Sequence, residues 1–82
     1  MELKRGQVVR SKAGRDKGSL LAVLALKGGW ALICDGKERP LERPKRKNPK
    51  HLAPTGRQVP EACLGSNRKL RAALGEMSTG RP

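Results

Sequence analysis

Aromatic residues are nearly missing from this chain: its 82 residues include no phenylalanine, no tyrosine and a single tryptophan, Trp30. A core must therefore be aliphatic, built from valine, leucine, isoleucine and alanine. It must also be small, because a chain of this length buries only around 60% of its unfolded surface and makes one domain at most. Histidine is equally scarce. His51 is the only one, so any acid–base site would need it or a perturbed carboxylate. It follows Lys50 in a basic run and reads as a surface or phosphate-contacting residue. No Ser/His/Asp arrangement and no G-x-x-x-x-G-K-[ST] phosphate loop occurs. An enzyme is not expected, nor a cofactor, nor a small-molecule substrate.

Cys34 and Cys63 are the only cysteines. They are too few and too far apart for a zinc site, whose ligands usually come in C-x-x-C pairs. Cys34 lies in an apolar run and reads as a reduced core residue, Cys63 as a partly buried helix residue. Long apolar runs are also lacking. The longest, Leu20 to Leu26, has seven residues, far short of the roughly 20 that span a bilayer. Residues 1–5, M-E-L-K-R, lack the apolar stretch of a signal peptide. These features lead to the expectation of a cytoplasmic protein, in which a Cys34–Cys63 disulfide is disfavoured.

Acidic residues are few: seven, against 19 lysines and arginines, for a net charge of +12. Such an excess favours a polyanionic partner, nucleic acid or an anionic membrane. The membrane is the weaker candidate, since no amphipathic helix with a large apolar face accompanies the charge.

What is present has the grammar of short strands and tight turns. Gly6 to Ser11 reads as a first strand and Ser19 to Leu26 as a second, apolar on both faces. Gly28-Gly29 permits the positive φ angles of a hairpin turn. Trp30 to Cys34 is a third strand, followed by the Asp35-Gly36 turn signal. Lys37 to Leu41 is the expected fourth, with Pro40 confining it to an edge or a bulge. His51-Leu52 and Thr55 to Val59 supply a last one. An antiparallel, strongly bent sheet follows, and closure into a small barrel would limit its exposed edges. From Pro60 the pattern turns helical, with a short turn to Gly65, Ser66 as N-cap and a helix over Asn67 to Leu74. Gly75 is the expected terminator, before a frayed tail from Ser78. The expected class is mainly β, with residues 1–59 as barrel and 60–82 as a C-terminal helical segment and tail.

Two basic elements stand out. In the loop Lys12 to Gly18, Gly14 and Gly18 let the backbone come close and adopt strained angles, so that backbone N–H groups and the side chains of Lys12, Arg15 and Lys17 are expected to meet phosphate. Asp16 within it would orient Arg15 or Lys17, or cap a turn. The second element, Arg43 to Lys50, carries five basic residues in eight and no acid. Pro44 and Pro49 exclude a regular helix there and favour an extended course that can track a phosphate backbone. Its candidates are Arg43, Lys45, Arg46, Lys47 and Lys50, with His51 beside them. Trp30 either fills the aliphatic core, the commoner fate of a lone tryptophan, or stacks on an unpaired base. The lack of further aromatics favours recognition of RNA shape and backbone over base reading.

The chain resembles the KOW family. The residues that carry the likeness are Gly6-Gln7-Val8-Val9, Ser11-Lys12-Ala13-Gly14-Arg15-Asp16-Lys17-Gly18 and Leu32-Ile33-Cys34-Asp35-Gly36. Glu42 to Leu52 and Asn67 to Leu74 extend it over nearly the whole chain. It looks closest to small bacterial KOW-containing relatives of archaeal and eukaryotic large-subunit ribosomal proteins. The resemblance implies an SH3-like β-barrel that binds RNA, with ribosomal RNA, the ribosome or its assembly intermediates as partner. It places RNA contacts on Lys12, Gly14, Arg15, Lys17 and Gly18. In one respect the chain departs from the motif: many members have a glycine three residues after the Lys-Gly pair, where this chain has Leu21, so a more regular backbone is expected there. The rival from another class is a protein–protein adaptor in a transcription or translation complex, presenting Leu70, Leu74 and Met77 to a partner.

Overall fold

Val8 and Val9, adjacent in sequence, point to opposite sides of one strand and enter two different cores. That split follows from the two-residue period of a strand, and it organises the molecule. The structure is a computed structural model that describes residues 3–15 and 17–79, with side chains as far as Met77. Its strands are β1 (Gln7–Ser11), β2 (Leu20–Lys27), β3 (Trp30–Cys34), β4 (Lys45–Lys47) and β5 (Leu52–Gln58). They form one antiparallel sheet in the order β4-β3-β2-β1-β5. A 3-10 turn at Pro49–His51 links β4 to β5, another spans Glu61–Gly65, and the helix α1 covers Asn67–Thr79.

The apolar character of β2 on both faces is explained by its central place. Leu21 and Val23 join Val9, Ala31, Ile33, Leu52 and Leu3 in one cluster. Ala22 joins Val8 and Cys34 in the other, beneath Leu64, Leu70 and Leu74 of the C-terminal segment. Residues 60–77 thus share a core with the sheet. The first cluster contains no helix residue, yet its members are at most 8% exposed. The sheet therefore covers this face by curling over it. Irregularities between Gln7 and Val9 and between Val23 and Ala25 assist the bend. Each Val, Leu or Ile so buried contributes about 1.5–3 kcal/mol. Leu21 sits in regular strand, paired with Val9, in line with the regular backbone expected at this position.

The mainly β class holds, but closure does not: β4 and β5 remain the two edges of an open sheet. β4 is only three residues long and runs into the 3-10 turn, which leaves little backbone for a closing ladder. The fourth strand is also displaced. Lys37 to Leu41 is a loop, because the Asp35 carboxylate draws the N–H groups of Lys37 and Arg39 to Oδ1, both at 2.8 Å. Such local side-chain capture competes with strand pairing. The loop is fastened to the helix by Asn67, whose Oδ1 accepts from the Leu41 N–H at 2.7 Å and whose Nδ2 donates to Glu42. Gly36 makes this approach possible: its φ is +79°, and a Cβ there would lie 2.4 Å from the Asn67 carbonyl oxygen.

The helix begins as expected, with Ser66 Oγ accepting from the Lys69 N–H at 3.3 Å. It does not stop at Gly75. Leu70, Leu74 and Met77 form one stripe against the sheet, and its packing outweighs the roughly 1 kcal/mol cost of one glycine. The remaining tail, residues 80–82, lies outside the described residues. Cys34 is fully buried, donates to the Ala22 carbonyl, and has its thiol pushed up to about 11 by burial and then by Asp35. Both cysteines are free. Among the described residues no helix is long and apolar enough to cross a membrane.

Candidate nucleic-acid interface

The loop after β1 is built by its own backbone. The Gly18 N–H donates to Ser11 O at 2.8 Å, the Lys17 N–H to Gly14 O at 3.2 Å, and the Lys12 N–H to His51 O at 2.8 Å. Gly14 and Gly18 have φ of 87° and 90°, the left-handed region in which a side chain is strained. These N–H groups are thus engaged inside the protein, which narrows the expectation from sequence. Gly14 and Gly18 shape the loop, and what Lys12, Arg15 and Lys17 present outward is exposed side-chain charge. Asp16 lies outside the described residues.

The second basic element comes to the same place. Ser11 pairs with Leu52, and the Lys12–His51 bond continues that ladder. Exposed Lys50 and His51 therefore stand beside the base of the loop. The 3-10 turn that carries them is capped by Asn48, whose Oδ1 accepts from the Lys50 N–H at 2.9 Å. Arg43 and Arg46 are exposed and Lys45 is half-buried.

Lys47 departs from its expected role. It is only 8% exposed, on the inner side of β4 opposite Ala31. Its Nζ donates to Ser11 Oγ at 2.9 Å and to Ala13 O at 2.8 Å. Ser11 Oγ in turn donates to the same Ala13 carbonyl at 2.9 Å. A buried ammonium must be hydrogen-bonded to offset its desolvation, and here that requirement ties edge strand β4 to the loop after β1. Lys47 is a brace between the two basic elements, not an outward contact.

Trp30 also departs from the commoner expectation. It belongs to neither core cluster and is 40% exposed, beyond the reach of the helix at the far end of β3. The Arg46 guanidinium carbon lies 4.8 Å from the centre of its ring. The register that sets Leu32 against Arg46 makes Trp30 and Arg46 diagonal neighbours across β3 and β4.

Three further cations, Arg39, Lys37 and Arg71, border this region without being expected from the sequence. Arg39 joins Arg15 around a cleft of about 240 Å³ that also contains Asp35 and Glu38. Lys37 and Arg71 line a groove of about 360 Å³ running from Gly18 and Ser19 to Gly75. A signal for Arg71 exists, since an inward stripe at Leu70, Ala73 and Leu74 leaves Arg68, Lys69 and Arg71 off the packed face. At the opposite end of the sheet, Arg5 grips Glu61, with Nε to Oε2 at 2.9 Å, and this hydrogen bond holds the Glu61 carboxyl below its ordinary value. Among the described residues no group of His, Cys, Asp and Glu is placed to hold a metal ion.

No family model matches this chain, and no curated protein matches it.

Proposed function

We propose that this protein binds structured RNA by capturing phosphates, in a ribosome- or translation-associated setting of the KOW type. The observation that carries the reading is the junction of the two basic elements. Lys12, Arg15 and Lys17 on one side and Lys50 and His51 on the other share a base fixed by the Lys12–His51 and Lys47–Ala13 hydrogen bonds. Cations held in fixed relation suit a backbone whose phosphates have regular spacing, and they carry no base code of their own. Arg43 and Lys45 extend the positive tract, and Lys37 and Arg71 widen it toward the helix. The adaptor reading loses the feature that motivated it, because Leu70 and Leu74 are buried and Met77 packs against the protein's own sheet.

Filter binding to a folded RNA at two salt concentrations tests the proposal. Binding that weakens steeply with salt supports it. Weak, salt-insensitive binding overturns it in favour of a protein partner.

A further inference from the structure

We infer that Trp30, with Arg46 stacked on it, is a seat for one unpaired nucleobase, so that the RNA gripped by the basic loops carries an unpaired nucleotide beside its duplex. The inference rests on the RNA-binding reading and narrows it to a class of RNA.

The chain has one aromatic residue, and the fold leaves it on the surface. Trp30 at 40% and Leu26 at 49% are the large hydrophobic side chains exposed among the described residues. Both belong to the β2–β3 hairpin. The surroundings of Trp30 are cationic: Lys27 is its cross-strand partner, and Arg46 lies over its ring. At the Gly28-Gly29 turn between them, the positions that Cβ atoms would take have nothing within 4 Å. The ring is therefore partly exposed beside an open turn, and the neighbours set against it are cations.

That combination has a specific chemical complement. A nucleobase is flat, offers a π face, and hangs from a phosphate. Indole supplies a stacking face, the guanidinium adds cation–π attraction and holds the ring in place, and Lys27 meets the neighbouring phosphate. A peptide needing several apolar pockets finds only Trp30 and Leu26. A single aromatic accepts one base, not a run of them. The seat is also joined rigidly to the phosphate tract, because Arg46 precedes Lys47, the residue braced to Ala13.

Trp30 is the only tryptophan, so the intrinsic fluorescence of the intact chain reports on this ring alone. The probes are a fully paired RNA duplex and the same duplex with one unpaired adenosine. Filter binding measures total affinity while fluorescence measures occupancy of the seat. The bulged RNA is expected to bind more tightly and to quench Trp30, and the paired duplex to bind without quenching. Trp30→Ala should weaken binding of the bulged RNA by about 5- to 150-fold and leave duplex affinity unchanged. Trp30→Phe, which keeps a stacking face and guards against a folding defect, should retain most of it. If both RNAs bind equally and neither quenches, the seat is refuted while RNA binding stands. If neither RNA binds, the RNA reading fails and the seat with it. Quenching by an acidic, apolar peptide but by neither RNA assigns the hairpin to a protein partner and overturns the inference.

Discussion

The ammonium of Lys47 lies 2.8 Å from the carbonyl oxygen of Ala13, and this bond joins an edge strand to the loop that follows β1. The backbone leaves the sheet open between β4 and β5. A side chain spans part of that opening and in doing so sets one basic element against the other.

Lys47 and Lys50, three residues apart, should therefore behave as different kinds of residue. Lys47→Met keeps the aliphatic stem but removes the donor, and should cost about 1–3 kcal/mol in urea unfolding. Lys50→Ala should change stability by no more than about 0.5 kcal/mol and weaken RNA binding. Equal stability of the two variants would remove the brace.

Neutralising about five or six phosphates of a duplex gives a slope of log K against log salt of about −5. Replacing Lys12, Arg15 and Lys17 together by alanine should flatten that slope by about 2.7, since each phosphate no longer neutralised takes about 0.9 from it. A slope that stays the same would take the loop off the binding surface.

Gly36→Ala should destabilise the protein by more than the roughly 1–3 kcal/mol of a left-handed backbone alone. The added methyl would also meet the Asn67 carbonyl oxygen at 2.4 Å. Thermal melting should show the loss, and Gly65→Ala, where a Cβ meets nothing within 4 Å, is the matched control.

Glu61 and Glu42 are both held below the ordinary carboxylate value of 4.5, by hydrogen bonds from Arg5 and Asn67 respectively. Each favours the folded state while ionised, so its contribution is complete above that value and fades as pH falls through the lowered one. Both groups are solvent-exposed, so the effect is modest. Melting temperature should drop as pH falls below about 4.5, and Glu42→Gln with Glu61→Gln should make the curve shallower. A curve of unchanged shape would mean that neither pair contributes.

Much of this fold is legible in residue order because its signals are local. Val8-Val9, the Leu20 to Leu26 run and Trp30 to Cys34 mark three strands within a residue or so of their ends, and Ser66 marks the start of the helix. The misplaced fourth strand has a physical cause. Lys45–Lys47 holds no apolar residue, so no alternation announces it, and its register is set by Ala31 and Ile33 on the neighbouring strand. Lys37 to Leu41 looks extended only until the Asp35 carboxylate is counted as a competitor for its N–H groups. The site divides in the same way. Most of the exposed cations can be found from charge alone. The inward turn of Lys47 depends on the sheet curling over the face that carries no helix, and the exposure of Trp30 on how far the helix extends along β3, tertiary facts that residue order does not carry.

An open sheet has two edges on which another chain could add a strand. β4 meets that hazard with three consecutive cations, and β5 with Pro54, which has no N–H to donate. The positive charge that suits a polyanion thus also keeps copies of the protein from pairing edge to edge. This protection is electrostatic and is screened as ionic strength rises. Concentrated salt in the absence of RNA is accordingly the condition under which self-association should first appear.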